Sequence, residues 1–438
     1  MPIPLWRLHA SSRPFASTSS DSKNHASREG CRQYRQRGTV TQAFQVVRVN
    51  GPIAYILLYA ALYAAFGTAS PFWPKFFETR ALTLQQISLI LAVAILTRLA
   101  AGPLIGMLAD LIGSLRLVLA TCAVAAAGAA IALLWAQAFP LLLSIALVQA
   151  AALAPTASIA DALSVNAAKP QIGGRAFEYG WLRGSASATF VVGTLTMGHL
   201  ISRTDLTPIT WMNASLLVMA ASTTALLPNV VSQSPPHAAA PVLARICGLL
   251  TIPQFRVVIF VSALVFGSHA MHDAFAVIRW SNAGIQPWVM SVLWSEAVAA
   301  EVLVFILVGP ALLDRFGARG AAALAAVAGI IRWSIAGMTT SVVVLSILQP
   351  LHGLTFALLH LACMRIMAAL VQPSLAATAQ AFYAFGSGLV TAILTLLSGM
   401  LYASYGGAAF LWMAILCGIA LPFGWFGFAH AHQSSDAH

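Results

Sequence analysis

The chain is 438 residues long, 59% hydrophobic and only 8% charged, where a soluble domain carries roughly 25% charged residues. Its mean hydropathy of +0.84 leaves too little polar surface to cover a globule in water, which excludes a soluble protein and places the chain in a bilayer. The net charge of +11 invites a nucleic-acid partner, but its distribution along the chain reports membrane orientation instead.

Residues 1–50 stand apart as a Ser-rich tail with eight of the 23 Lys and Arg. No apolar core of a signal peptide occurs in them, and their composition fits a disordered segment. From residue 51 the pattern changes. A membrane-spanning helix needs about 20 mostly apolar residues, and such stretches lie near 53–77, 87–109, 115–136, 139–163, 183–201 and 208–228. These form a first six-helix bundle, residues 51–228. The second span ends in "GMLADLIGSLR", which holds Gly106, Asp110, Gly113 and Arg116.

Residues 229–256 contain four prolines and read as a connecting loop. A second group of spans follows near 257–278, 288–311, 320–339, 342–365, 378–402 and 408–429. They make a second bundle, residues 257–430, with 431–438 as a short tail. The eighth span ends in "GPALLDRFGARG", with Asp314, Arg315, Gly317 and Arg319. Each motif sets an Asp, then a Gly three residues on, then an Arg, and the two aspartates lie 204 positions apart (314 less 110). Such an echo is the mark of internal duplication, common in transporters with a binding site between the repeats. The expected fold is therefore an all-α membrane protein of twelve transmembrane helices in two pseudo-symmetric six-helix bundles.

With both termini cytoplasmic, seventeen Lys and Arg fall inside: eight in the tail, then Arg116, Lys169, Arg175, Arg183, Arg245, Arg256, Arg315, Arg319 and Arg365. Four fall outside (Lys75, Arg80, Arg203 and Arg279), and Arg98 and Arg332 lie within spans. This is the positive-inside pattern. The five cysteines show no pairing or metal spacing. No His-Glu-x-x-His helix, nucleophile elbow or phosphate loop occurs, so neither an enzyme nor a cofactor is expected.

The ionisable residues inside the spans carry the functional expectation. At 1.5 Å rise per residue, Glu301 lies roughly 20 Å from Asp314, near the middle of a slab about 30 Å thick. Arg98, His269, Arg332 and His352 fall at a similar depth. A charge at that depth costs at least about 2.5–3.5 kcal/mol on insertion scales, so these groups need partners or water and are functional candidates by default. Glu301 with Arg332, bridged or flanked by His352 and His269, would satisfy the charges and make a site able to take and release a proton. The alternative is a purely structural ion pair. Arg98 suits a carboxylate substrate through its bidentate fork, or braces the first half. In "SHAMHDAF", residues 268–275, His269, His272 and Asp273 share one helix face; a proton or substrate contact is expected there ahead of a metal. Phe72 and Trp73 toward the outer end of the first span would serve as interface anchors or, if a substrate carries a phenyl ring, stack on it with Trp294 or Trp333.

The loops at Gly106–Arg116 and Asp314–Arg319 resemble the signature loops of the major facilitator superfamily, where the Asp, Gly and basic residues form a cytoplasmic latch. By that resemblance Asp110, Gly113, Arg116, Asp314, Arg315, Gly317 and Arg319 are latch residues, with Leu111 standing where a basic residue is usual. A narrower resemblance runs through "PFWPKFF" (71–77), "FEYGWLRGSASATFVVG" (177–193), "LWSEAVAAEV" (293–302), "GIIRWSIAGMTT" (329–340) and "LQPLHGLTFALLHLACMRIMAA" (348–369). These segments look like the 3-phenylpropionic acid transporter family, itself similar to the lactose permease and nucleoside proton symporters. The Glu, Arg and His on spans eight, nine and ten resemble the coupling group of the lactose permease, which adds a carboxylate on span ten that is missing here.

Together these expectations describe a monomeric multi-pass carrier of the cell inner (cytoplasmic) membrane, with a small-molecule substrate and protons as partners. It would be a symporter of a small aromatic carboxylate, with Glu301, His352 and His269 carrying the proton and Arg98 or Arg332 holding the anion. Symport of a nucleoside or sugar, and proton-driven drug efflux, are the alternatives.

Overall fold

The computed structural model describes residues 51–167, 179–202, 204–227 and 242–428, and the described residues contain helices and turns but no strand. The N-terminal tail, most of the connecting loop and the last ten residues lie outside them. The first half comprises α1 (Gly51–Ala69), α2 (Trp73–Thr79), α3 (Leu84–Ile112), α4 (Leu115–Ala132), α5 (Phe139–Leu153), α6 (Thr156–Ala167), α7 (Tyr179–Leu200) and α8 (Thr207–Thr223). After the connecting segment come α9 (Val242–Leu250), α10 (Pro253–Gly267), α11 (Ala270–Asn282), α12 (Pro287–Leu303) and α13 (Gly309–Met338). The chain closes with α14 (Val342–Leu348), α15 (Leu351–Gly353), α16 (Leu359–Leu370), α17 (Ala376–Tyr405) and α18 (Phe410–Gly427).

Local chemistry sets many of these boundaries. Proline occupies the first turn of α2, α5, α8, α10 and α12, where its missing N–H leaves no helical bond unmade. Thr83 and Gln86 close a reciprocal capping box at the start of α3. Gly113, at φ +70°, ends the same helix in the left-handed conformation that a residue with a Cβ resists. Gly317 does the same inside α13, where φ 66° and ψ 177° interrupt the helical path. The two glycines of the repeated Asp-x-x-Gly motif are thus both turn residues.

Among the described residues, length and composition mark eight helical stretches as able to cross a membrane, or nine when α1 and α2, bent by 45°, count as one broken span. Two of the eight, Pro287–Met338 and Pro373–Gly427, have 52 and 55 residues, about twice what one crossing takes. The first holds the break at Gly317 and the second the turn at Gly406, which has φ 55°. Each of these stretches is therefore long enough to hold two crossings.

In the first half α1 packs on α7 and α8, and α4 on α5 and α8; in the second, α13 packs on α16 and α18, and α10 on α17 and α18. The halves meet along α3 with α17 and along α7 with α12. One apolar core, around Tyr59, Leu119 and Leu217, is confined to the first half. The largest core instead runs through both, joining Phe76, Ile87 and Met197 to Phe275, Leu293 and Phe410. Its first-half part, where the halves join, lies toward the end of the bundle where α3 begins. There Ser88 of α3 abuts Gly399 of α17, and Ser291 of α12 abuts Gly198 of α7. Ser88 Oγ also donates to the Leu396 carbonyl across the interface at 3.3 Å. The two serines sit 203 positions apart (291 less 88), close to the spacing of the Asp motifs, so the seam between halves repeats the internal symmetry.

Candidate functional site

Between the halves lies a cavity of about 410 Å³, within the range that takes a small organic ligand. Its first-half wall is Ser70, Trp73 and Pro74 from the α1–α2 bend, Leu91, Ile95 and Arg98 from α3, and Phe190 from α7. Leu91, Ile95 and Arg98 follow one another at four and then three residues, one face of a helix. Arg98 is exposed to the cavity. Among the described residues no side chain forms a hydrogen bond or ion pair with its guanidinium.

The second-half wall is a band of rings and hydroxyls. His269 stands at the junction of α10 and α11, His272 and Asp273 on the first turn of α11, Trp294 on α12, His352 on α15, Phe356 just after it, and Thr391 and Thr395 on α17. His272 stacks on Trp294 with centroids 5.1 Å apart, His352 on Phe356 at 5.7 Å, and His269 lies 5.0 Å from His352. Asp273 Oδ1 is 3.4 Å from His272 Nδ1, and its side chain is 57% exposed, so a free carboxylate face remains toward the cavity. Among the described residues no group of three His, Cys, Asp or Glu is placed to hold a metal ion.

Behind this wall runs a polar chain. Arg332, 2% exposed, points Nη1 at His352 Nδ1 at 3.0 Å and donates from Nη2 to Gln349 Oε1 at 3.1 Å. A guanidinium can only donate, so His352 Nδ1 accepts and the ring hydrogen falls on Nε2. That nitrogen faces Glu301 Oε2 at 3.4 Å. Thr355 Oγ1 donates to the His352 carbonyl at 3.1 Å and lies 3.0 Å from His269 Nε2, tying the two histidines together. The guanidinium also lies over the Trp333 ring at 4.4 Å, whose Nε1 donates to Ser268 at 2.8 Å. A cation, a tautomerically fixed imidazole and a carboxylate therefore stand in line, with the imidazole on the cavity wall.

Arg98, Trp73, Trp294, His269 and His352 all line the cavity. Glu301 and Arg332 do not, and they do not touch: His352 stands between them. Phe72, only 1% exposed, faces the apolar core instead of the cavity. Of the latch residues, Asp314 pairs with Arg365 Nη2 at 2.9 Å, Arg116 Nη1 donates to the Leu227 carbonyl at 2.7 Å, and Asp110 is exposed. Arg315 lies over the Phe316 ring at 5.6 Å and Arg319 over Trp425 at 3.9 Å. Glu296 accepts from Ser346 at 2.6 Å, away from the polar chain. The residues that sequence reasoning passed over are Gln349, Thr355, Phe190 and Phe356. Gln349 and Phe356 lie three before and four after His352, a spacing that places them on its helix face.

The model of the MFS_1 like family matches residues 53–414. A relative in Escherichia coli (strain K12), the probable 3-phenylpropionic acid transporter, is 31% identical over 375 residues, covering 83% of this chain and 94% of that one. The crystal structure of the nucleoside transporter NupG superposes with a TM-score of 0.73 at 16% identity, over 87% of this chain and 99% of that chain. That of a D-xylose-proton symporter does so with a TM-score of 0.64 at 14% identity, over 87% and 98%. At such identities the two structures speak for the fold alone. The family match spans most of the chain and both of its halves, and the chain belongs to the MFS_1 like family, as a membrane transporter of the major facilitator fold.

Proposed function

We propose that the chain is a proton symporter that carries a small aromatic carboxylate, of the 3-phenylpropionate or cinnamate type, across the cell inner membrane by alternating access. The observation that carries this reading is Arg98, an unpartnered guanidinium in a cavity whose walls are otherwise rich in rings. A guanidinium fork matches a carboxylate with two parallel hydrogen bonds. Trp73, Phe190, Trp294 and Phe356 offer faces and edges for a phenyl ring. The name of the 31% identical relative supports the same substrate class. For a nucleoside or sugar the wall offers three hydroxyls, Ser70, Thr391 and Thr395, the imidazoles of His269, His272 and His352 and the Asp273 carboxylate, but no side-chain amide.

Coupling follows from the chain Arg332–His352–Glu301. Protonation of Glu301 removes the negative end of that line, weakens its hold on His352, and changes the charge presented to a substrate anion. His269, joined to His352 through Thr355, extends the same group. Neutralising the layer lets the halves rock past each other.

The test is uptake of labelled 3-phenylpropionate into vesicles under an inward proton gradient. Wild type should accumulate it, with loss of accumulation on adding a protonophore. Glu301→Gln should keep counterflow and lose accumulation. Absence of both counterflow and uptake in wild type would remove the substrate, and full accumulation by Glu301→Gln would remove its role in coupling.

A further inference from the structure

A second, much smaller void lies in the second half, beside the central cavity. It has room for one occupant of water or halide size, about 10 Å³ of positions for its centre. Two guanidiniums line it, Arg279 from α11 and Arg332 from α13, together with His272 and Gln349, and no carboxylate does. Arg279 donates from Nη2 to the Gly337 carbonyl at 2.9 Å, but its Nη1 is buried without a partner. His272, 6% exposed, likewise has a buried Nε2 without a partner. Its ring lines both the void and the central cavity.

We propose that this void is a site for a single monatomic anion, chloride, held between Arg279 and Arg332. The ion pairs drawn by these arginines elsewhere are absent: Arg332 has neutral partners in His352 and Gln349, and Arg279 has backbone carbonyls. Two cations facing one small void, Arg332 within a span and Arg279 half-buried in the last turn of α11, are costly without a counter-charge. A water would satisfy the orphaned Nη1 hydrogen and leave both charges standing; a chloride satisfies that hydrogen and offsets one of the two charges. The space is too small for a carboxylate bearing a ring, so this site is separate from substrate binding.

The test needs no transport. Purified protein is melted in sodium chloride and in sodium gluconate at equal ionic strength, since gluconate is too large to enter. Chloride should raise the melting midpoint of wild type saturably, as binding to the folded state alone requires. Ala336→Val narrows the void without touching a charge and should abolish the shift. Bromide in place of chloride should give one anomalous-scattering peak within reach of both arginines, a readout that stands even if the variant fails to fold. Equal midpoints of wild type in the two salts, an equal chloride shift in Ala336→Val, or no bromide peak in the void would each overturn the proposal.

Discussion

Arg98 and Arg332 are both cations in membrane spans, and the structure treats them in opposite ways. Arg332 is surrounded: His352, Gln349 and the Trp333 ring each take part of its guanidinium. Arg98 has no such partner and faces the cavity. Replacing Arg98 with Gln should therefore cost substrate affinity and little stability. Loss of a charge-assisted pair is worth about 1.5–3 kcal/mol, so the apparent affinity for 3-phenylpropionate should fall roughly 10- to 100-fold while the melting midpoint barely moves. Binding of the corresponding neutral amide should be spared; an equal loss for acid and amide would make Arg98 a brace for the first half. Gln349→Leu should behave the other way. It leaves a buried Arg332 N–H without its acceptor, at a cost of about 1–3 kcal/mol, and should lower the melting midpoint whether or not substrate is present. Glu301, Arg98, Arg332 and the histidines were legible because a charge in an oily run stands out. Gln349 and Thr355 were not, because a neutral polar residue in such a run has no comparable signature. That Glu301 reaches Arg332 only through His352 depends on side-chain packing, which a depth count along separate helices does not contain.

At the scale of elements, the repeated Asp-x-x-Gly motif marked two helix turns and prolines such as Pro155 and Pro350 marked breaks inside spans, while the π-helical stretches were hidden. Two stretches of π-helix, Val304–Val308 and Leu354–Leu358, directly follow the turns that carry Glu301 and His352, a placement typical of functional sites. No residue pattern in "VFILV" or "LTFAL" announces them. Gly353, between His352 and the second π stretch, is needed for close approach: a Cβ there would lie 2.6 Å from the Ala300 carbonyl. The seam between halves turns on similar contacts. Any side chain at Gly198 or Gly399 would overlap Ser291 or Ser88, so Gly399→Leu must push α3 and α17 apart at that end. The expected result is a population shifted toward a cavity open there. In a cysteine-free background, Ser70→Cys on the cavity wall should then react faster with an impermeant maleimide added on the side faced by α2 and α11, and transport should slow. Unchanged labelling would mean that the seam does not hold that end shut.

For the whole molecule, duplication and charge bias were the most legible features, since both are sums over the sequence and need no packing detail. The helix paths now give the charge bias a spatial form. Following the chain from one end of the bundle to the other sets Arg116, Arg183, Arg245, Arg256, Arg315, Arg319 and Arg365 at one end and Lys75, Arg80 and Arg279 at the other. Seven against three among the described residues is the kind of asymmetry the insertion machinery reads, and on it we propose that the seven-residue end faces the cytoplasm. On that proposal the closed seam at Ser88–Gly399 and Ser291–Gly198 would lie on the outer side, with the cavity poised toward the cell interior. Reporter fusions decide this. Alkaline phosphatase, which needs disulfides formed outside the cytoplasm to be active, should be inactive when fused after Phe428 and active when fused after Gly284, in the turn between α11 and α12. The reverse pattern would invert the molecule, turn the sealed end inward, and make this an outward-facing state. The inward-facing assignment thus rests on the same few arginines that orient the chain, and one pair of fusions tests both.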